Sequence, residues 1–208
     1  VSGDDRTAIE KRALDALKSR LYPAFRELHA FLERDYLPKC RESIACSALP
    51  SGRAWYAFNT RVRRTTALSP REIHDIGLSE VRRIRGEMER VMATTGFKGS
   101  FVEFLTYLRT DPKFYYERGT ELIAGYRDIA KRADGELPKL FGRLPRTPYT
   151  VQPVPSYSEK SQTTAYYQPG SMVAGRPGVY FANTYSISSR PKWEMEALSL
   201  HESVPGHH

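Results

Sequence analysis

Pro205 and Gly206 stand between two groups of histidine near the end of the chain, and they decide what that end can fold into. The last eight residues read His201-Glu202-Ser203-Val204-Pro205-Gly206-His207-His208 and hold three of the five histidines in the 208-residue sequence. Upstream, Pro191 is compatible with a first helical turn, and Trp193, Ala197, Leu198 and His201 fall near one face at a 3.6-residue period. A helix therefore carries His201 and Glu202. Histidines four apart on a helix differ by only about 40° and can share one ion, as in H-E-x-x-H. Here the fourth position is Pro205. On an ideal helix His207 would be turned by about 120° from His201, and His208 would lie about 10 Å along the axis, too far to share a zinc ion. Proline removes a backbone donor and clashes with the preceding turn, while glycine permits a bulge or positive φ. The pair can therefore compress the spacing and return His207 or His208 to an ion held by His201.

The ending resembles a known family when taken with Ala165-Tyr166-Tyr167-Gln-Pro169 and Arg176-Pro-Gly178-Val-Tyr-Phe-Ala-Asn183-Thr184. Leu49-Pro-Ser-Gly52, Trp55-Tyr56, Leu68-Ser-Pro-Arg-Glu-Ile-His74 and Gly77-Leu-Ser-Glu-Val81 follow the same family in order. This is the bacterial domain-of-unknown-function 885 family, placed among thermolysin-like zinc metallopeptidases, with H-E-x-x-P-G-H-H as its hallmark. The resemblance implies a mainly helical body, a zinc cofactor, and a further acidic ligand and transition-state donors supplied downstream. The chain begins at Val1 and stops at His208, so it reads as a fragment of a larger catalytic domain, with its own missing C-terminal region as a partner.

The chemistry expected of a complete site follows from the residue types. His201 would bind zinc as a neutral imidazole, with His207 or His208 as the second protein ligand, and Glu202 would act as general base on a zinc-bound water. The expected reaction is hydrolysis of a peptide or related amide bond. Asn183, Tyr166, Tyr167 and Arg176 are the candidate substrate contacts: Asn183 to fix an extended peptide, a tyrosine hydroxyl to face the cleft, and Arg176 to bind a carboxylate. The alternative is a noncatalytic peptide-binding or protein-interaction module that keeps the cleft wall without the metal.

The remainder of the chain divides by texture near residue 145. In 1–145, Ala13, Leu14, Leu17, Leu21, Phe25, Leu28, Phe31 and Leu32 recur at helical intervals. Pro23 should kink or divide that segment, and Pro38 should help to end it. Ser69-Pro70 should open a long helix through Val91 and Met92, and Asp111-Pro112 should cap the next, with Phe114, Leu122, Ile123, Tyr126, Ile129 and Ala130 on its buried side. In 146–208, the runs Tyr149-Thr-Val151, Thr163–Tyr167 and Gly178–Thr184 read as strands of a small antiparallel sheet before the motif helix. The expected class is α+β and predominantly helical.

Composition narrows the partners. No apolar run approaches the roughly 20 residues needed to span a bilayer. Against 24 acidic residues stand 32 Lys and Arg, a net charge of +8, which would suit a nucleic acid or an anionic surface. The densest patches, Arg61-Val-Arg-Arg64 and Arg82-Arg83-Ile-Arg85, lack a nucleic-acid motif, and the second alternates with Glu80, Glu87 and Glu89 as a solvated helix face does. Cys40 and Cys46 admit either a local disulfide or two reduced thiols. The compartment stays open, with a bacterial periplasmic or secreted setting placed ahead of the cytoplasm.

Overall fold

The computed structural model describes residues 2–208 and is mostly helical, with a three-stranded sheet near its C-terminal end. The chain divides into two compact units, and the division falls between Arg83 and Ile84. In the first, α1 (Gly3–Ala16) opens at Ser2, whose hydroxyl accepts a hydrogen bond from the Asp5 amide, with Asp4 and Asp5 favouring the positive end of the helix dipole. A wider π turn, Leu17–Leu21, leads directly into α2 (Tyr22–Phe31). Pro23 does not divide the helical run. It sits in the first turn of α2, where the widened turn before it accommodates the missing donor. A second π turn and a 3-10 turn at Pro38 finish the segment at Lys39, as the proline suggested.

α3 (Gly52–Val62) follows, then α4 (Pro70–Thr94). Ser69 caps α4 reciprocally: its Oγ accepts from the Glu72 amide while the Glu72 carboxylate accepts from the Ser69 amide at 2.6 Å. Gly52 is the one buried residue among those described in this unit. A Cβ there would run into the Cys46 carbonyl. The apolar faces of these helices stay open, with Phe25, Phe31, Trp55 and Phe58 at least half exposed. Cys40 and Cys46 are free thiols.

The hydrophobic core lies in the second unit. α5 (Phe101–Thr110) starts at a Ser100–Glu103 capping box. Phe97, Phe104, Tyr107 and Phe114 form a chain of ring contacts beside it. Asp111 caps only the single turn Pro112–Phe114, its Oδ1 accepting from the Lys113 amide. The long helix expected after it, α6 (Gly119–Leu140), instead starts eight residues later and buries Leu122, Ile123, Tyr126, Ala130 and Leu137. An Asp-Pro pair starts any helical turn, and here Tyr115–Arg118 intervene before a second start closed by the Glu121 carboxylate on the Arg118 amide.

The change of texture near residue 145 falls inside this unit. β1 (Tyr149–Pro153), β2 (Ala165–Gln168) and β3 (Gly178–Ala182) form a sheet in the order β1-β3-β2. The sheet is mixed rather than wholly antiparallel. β2 and β3 form an antiparallel hairpin, whereas β1 runs parallel to β3, pairing Tyr149 with Gly178 and Pro153 with Ala182. The chain between β1 and β2 carries the hairpin past β1, so its second strand becomes the centre. Val151, Ala165, Tyr180 and Ala182 from the sheet meet Leu122, Ile123, Tyr126 and Ala130 from α6 and Met195 from α7 (Met195–Glu202). Tyr126 and Tyr180 pack edge to face at 5.3 Å. The Arg127 guanidinium donates two hydrogen bonds to the Val151 carbonyl and ties α6 to β1.

Leu122 is fully buried at the centre of this core. Leu122→Ala should destabilise the second unit by about 2–5 kcal/mol, measured as the shift in urea unfolding followed by circular dichroism. A loss below about 0.5 kcal/mol would contradict this placement of the core.

Candidate metal centre

The sheet and α6 set the rotation of α7. Its buried face is Met195, Ser199 and Glu202, not the face that carries Ala197 and His201; Trp193 sits on a preceding 3-10 turn and His201 is exposed. Met195 fills the core between α6 and the sheet, so the positions four and seven further on turn inward with it. Glu202 is 8% exposed, at the edge where that face reaches the surface.

α7 stops at Glu202, and the chain turns back on itself. The Ser203 amide and hydroxyl both donate to the Ser199 carbonyl, at 2.8 and 2.6 Å. The Val204–Pro205 bond is cis. The His207 amide then donates to the His201 carbonyl at 2.9 Å, and the His208 amide to the Ser203 carbonyl at 3.0 Å. Gly206 packs so closely on the carbonyls of Leu200 and His201 that a Cβ would overlap them. Proline and glycine thus compress the spacing, as their chemistry suggested, and His207 returns to His201.

Three side chains converge as a result. One ligand atom from each of His201, Glu202 and His207 lies within 4.8 Å of the others. The two imidazole rings stand at 87° with centroids 4.8 Å apart, and His207 Nε2 is 3.9 Å from Glu202 Oε2. The group could hold a metal ion: two imidazoles and a carboxylate are a donor set suited to zinc.

His208, the other candidate second ligand, takes a different place. Its Nδ1 lies 2.6 Å from the Tyr167 hydroxyl, and its ring packs on Tyr149 at 4.6 Å between centroids. The Tyr149 hydroxyl in turn lies 3.1 Å from Asp134 Oδ1 and 3.3 Å from the Ala130 carbonyl. Burial and the Asp134 charge push the Tyr149 phenol up to about 12, and burial also raises Tyr167, so both phenols keep their protons near neutrality. The sequence reading did not single out Tyr149 or Asp134. Tyr149 begins β1, where an aromatic residue is ordinary, and nothing local marks it as a neighbour of His208.

The expected substrate contacts separate into three environments. Tyr167 lies beside the histidines, its ring nearly parallel to His207 at 6.3 Å. Tyr166 points to the other face of the sheet and stacks on Phe181 at 4.9 Å, because neighbours in a strand alternate sides. Arg176 lies on the exposed turn between β2 and β3, paired through its backbone with Ser171.

Asn183 is 1% exposed, and its amide is used inside the protein rather than turned toward a peptide. Nδ2 lies within 3.3 Å of the carbonyls of Glu159, Gln162 and Thr163, and Oδ1 accepts from the Tyr185 amide. It anchors the loop between β1 and β2. Glu196 on α7 pairs with Arg132 of α6. The basic stretch of α4 is laced with ion pairs, Arg83–Glu80, Arg85–Glu89 and Arg90–Glu87, as a solvated helix face requires. Among the described residues no helix is long and apolar enough to cross a membrane.

Asn183→Ala should therefore cost about 1–3 kcal/mol, since buried loop carbonyls lose their donor, and amide exchange at 155–164 should quicken. Unchanged stability and exchange would refute the anchoring role.

Comparison with known proteins agrees with this fold. The whole chain superimposes, with a TM-score of 0.90 and 24% identity, on a protein from Colwellia psychrerythraea described as a candidate lipoprotein. At that identity the likeness shows a shared fold. The chain covers all of its own length but 36% of that protein, so it spans about a third of the relative it matches. No curated protein matches the chain. The family described as bacterial protein of unknown function, DUF885, matches residues 1–208, and the chain belongs to that family.

Proposed function

We propose that these residues carry the metal-binding segment of a zinc-dependent hydrolase of peptide or related amide bonds, completed by further parts of the parent protein. The convergence of His201, Glu202 and His207 within 4.8 Å carries the reading. Ligand atoms on a tetrahedral zinc lie about 3.4 Å apart. The two imidazoles would draw in by up to about 1.4 Å to share an ion, a movement that rotation of the exposed His201 and His207 side chains supplies, with the Glu202 carboxylate left beside it.

In this reading His201 and His207 hold the ion through neutral ring nitrogens, and a further acid comes from outside these 208 residues. Zinc bound there would lower the pKa of its water toward about 7 and polarise the scissile carbonyl. Glu202 accepts the proton of the attacking water on its carboxylate and passes it to the leaving amine. Its near-burial favours this work, because packing holds the carboxylate in place beside the two histidines. An extended peptide alongside β2 would find main-chain partners and the Tyr167 ring next to the histidines.

The test is elemental analysis of the natural polypeptide that carries these residues. About one zinc per chain is expected, lost in His201→Ala and in His207→Ala. Glu202→Gln should keep the metal while lowering kcat by at least about 100-fold. Absence of zinc, or peptide binding indifferent to chelators, would favour an interaction module and overturn the hydrolase.

A further inference from the structure

Resting on the metal-site reading above, we infer that His208 is a positioning residue and not a ligand: an aromatic clamp built by Tyr149, Tyr167 and Gly178 holds its ring and so presents His207 to the metal.

Three observations carry this. First, the ring of His208 is occupied on two sides. Tyr167 bonds its Nδ1 at 2.6 Å and Tyr149 covers its face, while Tyr149 is itself fixed to α6 through Asp134 and the Ala130 carbonyl. Second, room for the Tyr167–His208 contact exists because residue 178 lacks a side chain. A Cβ there would collide with the Tyr167 hydroxyl and come within 3.2 Å of His208 Nδ1. Tyr149 and Gly178 are also register partners in the β1–β3 pair, so two strands build one wall of the clamp.

Third, the backbone passes the constraint along. The amides of His207 and His208 are both tied, to the His201 and Ser203 carbonyls. With the ring of His208 held on one side of this short turn, the adjacent His207 is directed to the other, where its ring meets His201. Tyr167 spans both, bonding His208 while its ring lies nearly parallel to that of His207. A ligand histidine at an exposed turn loses side-chain and backbone freedom when it binds; fixing its neighbour beforehand removes part of that cost.

The experiment is a Co(II) titration of the natural polypeptide, reading affinity and the visible d–d spectrum, with circular dichroism to establish folding of each variant. His207→Ala should abolish binding. His208→Ala and Tyr167→Phe should each weaken it by about 10- to 100-fold with the spectrum unchanged, since the ligand set is intact. His208→Asn should recover most of the affinity, because its amide oxygen can occupy the place of Nδ1 and accept from Tyr167 but cannot reach where Nε2 lies. A spectrum altered in His208→Ala, with His208→Asn no better than alanine, makes His208 a ligand and overturns the inference while leaving the metal site standing. Wild-type affinity in both His208→Ala and Tyr167→Phe also overturns it. Failure of the unaltered protein to bind cobalt overturns the metal site and the inference together. Tyr167→Phe preserves ring shape and packing, so it decides the matter if alanine at 208 prevents folding.

Discussion

One hydrogen bond, from the amide of His207 to the carbonyl of His201, closes the turn on which the candidate site depends. A helix leaves its last carbonyls without partners, and most chains satisfy them with a glycine cap or with water. Here the partner comes from six residues further on. The same bond that completes the end of α7 brings a second imidazole to the first. Gly206 permits the approach, since any side chain would overlap the carbonyls beneath it. The Val204–Pro205 bond within this turn is cis. Capping and the convergence of ligands are therefore one piece of geometry.

That turn would have no fixed direction without the core behind it. Met195 anchors the start of α7 between α6 and the sheet, and the Ser199 and Glu202 positions follow inward at helical spacing. The sheet is small, but its central strand is flanked on both edges, and Tyr180 and Ala182 on that strand are wholly buried. The second unit thus orients the motif helix through apolar packing and the end of the helix through hydrogen bonds. Packing chooses which residue faces in; the hydrogen bonds choose how far the following chain travels.

The legible parts of this arrangement were those written in local chemistry. The Pro-Gly break between the histidines, the Ser69-Pro70 start of α4, the buried positions of α6 from Leu122 to Ala130 and the three strand runs all depend on neighbours within a few residues. What could not be read was set by distant partners. The buried side of α7 depends on where Met195 finds the core, and its neighbours Trp193 and Leu198 are as apolar as it is. Asn183 has the chemistry to hold a peptide backbone, and the backbone it holds is the turn-rich loop before β2 of its own chain. The separation of His207 from His208 depends on Tyr149 and Tyr167, about 60 and 40 residues upstream, which no spacing rule brings to a histidine pair. The parallel pairing of β1 with β3 was hidden for the same reason: strand runs declare their alternation but not their neighbours.

His201, Glu202 and His207 all come from one stretch of seven residues, and this bears on how an ion would be shared between the folded and the unfolded chain. Groups so close along the polypeptide stay at high effective concentration even when the protein is denatured, since the segment joining them is short. An ion that also binds the unfolded state stabilises the native one by less than its affinity suggests. For these three groups, folding contributes orientation more than proximity. A cation held by His201 and His207 alone would be a weak thermodynamic brace for the fold, and a ligand arriving from a remote part of the polypeptide would convert the same ion into a strong one.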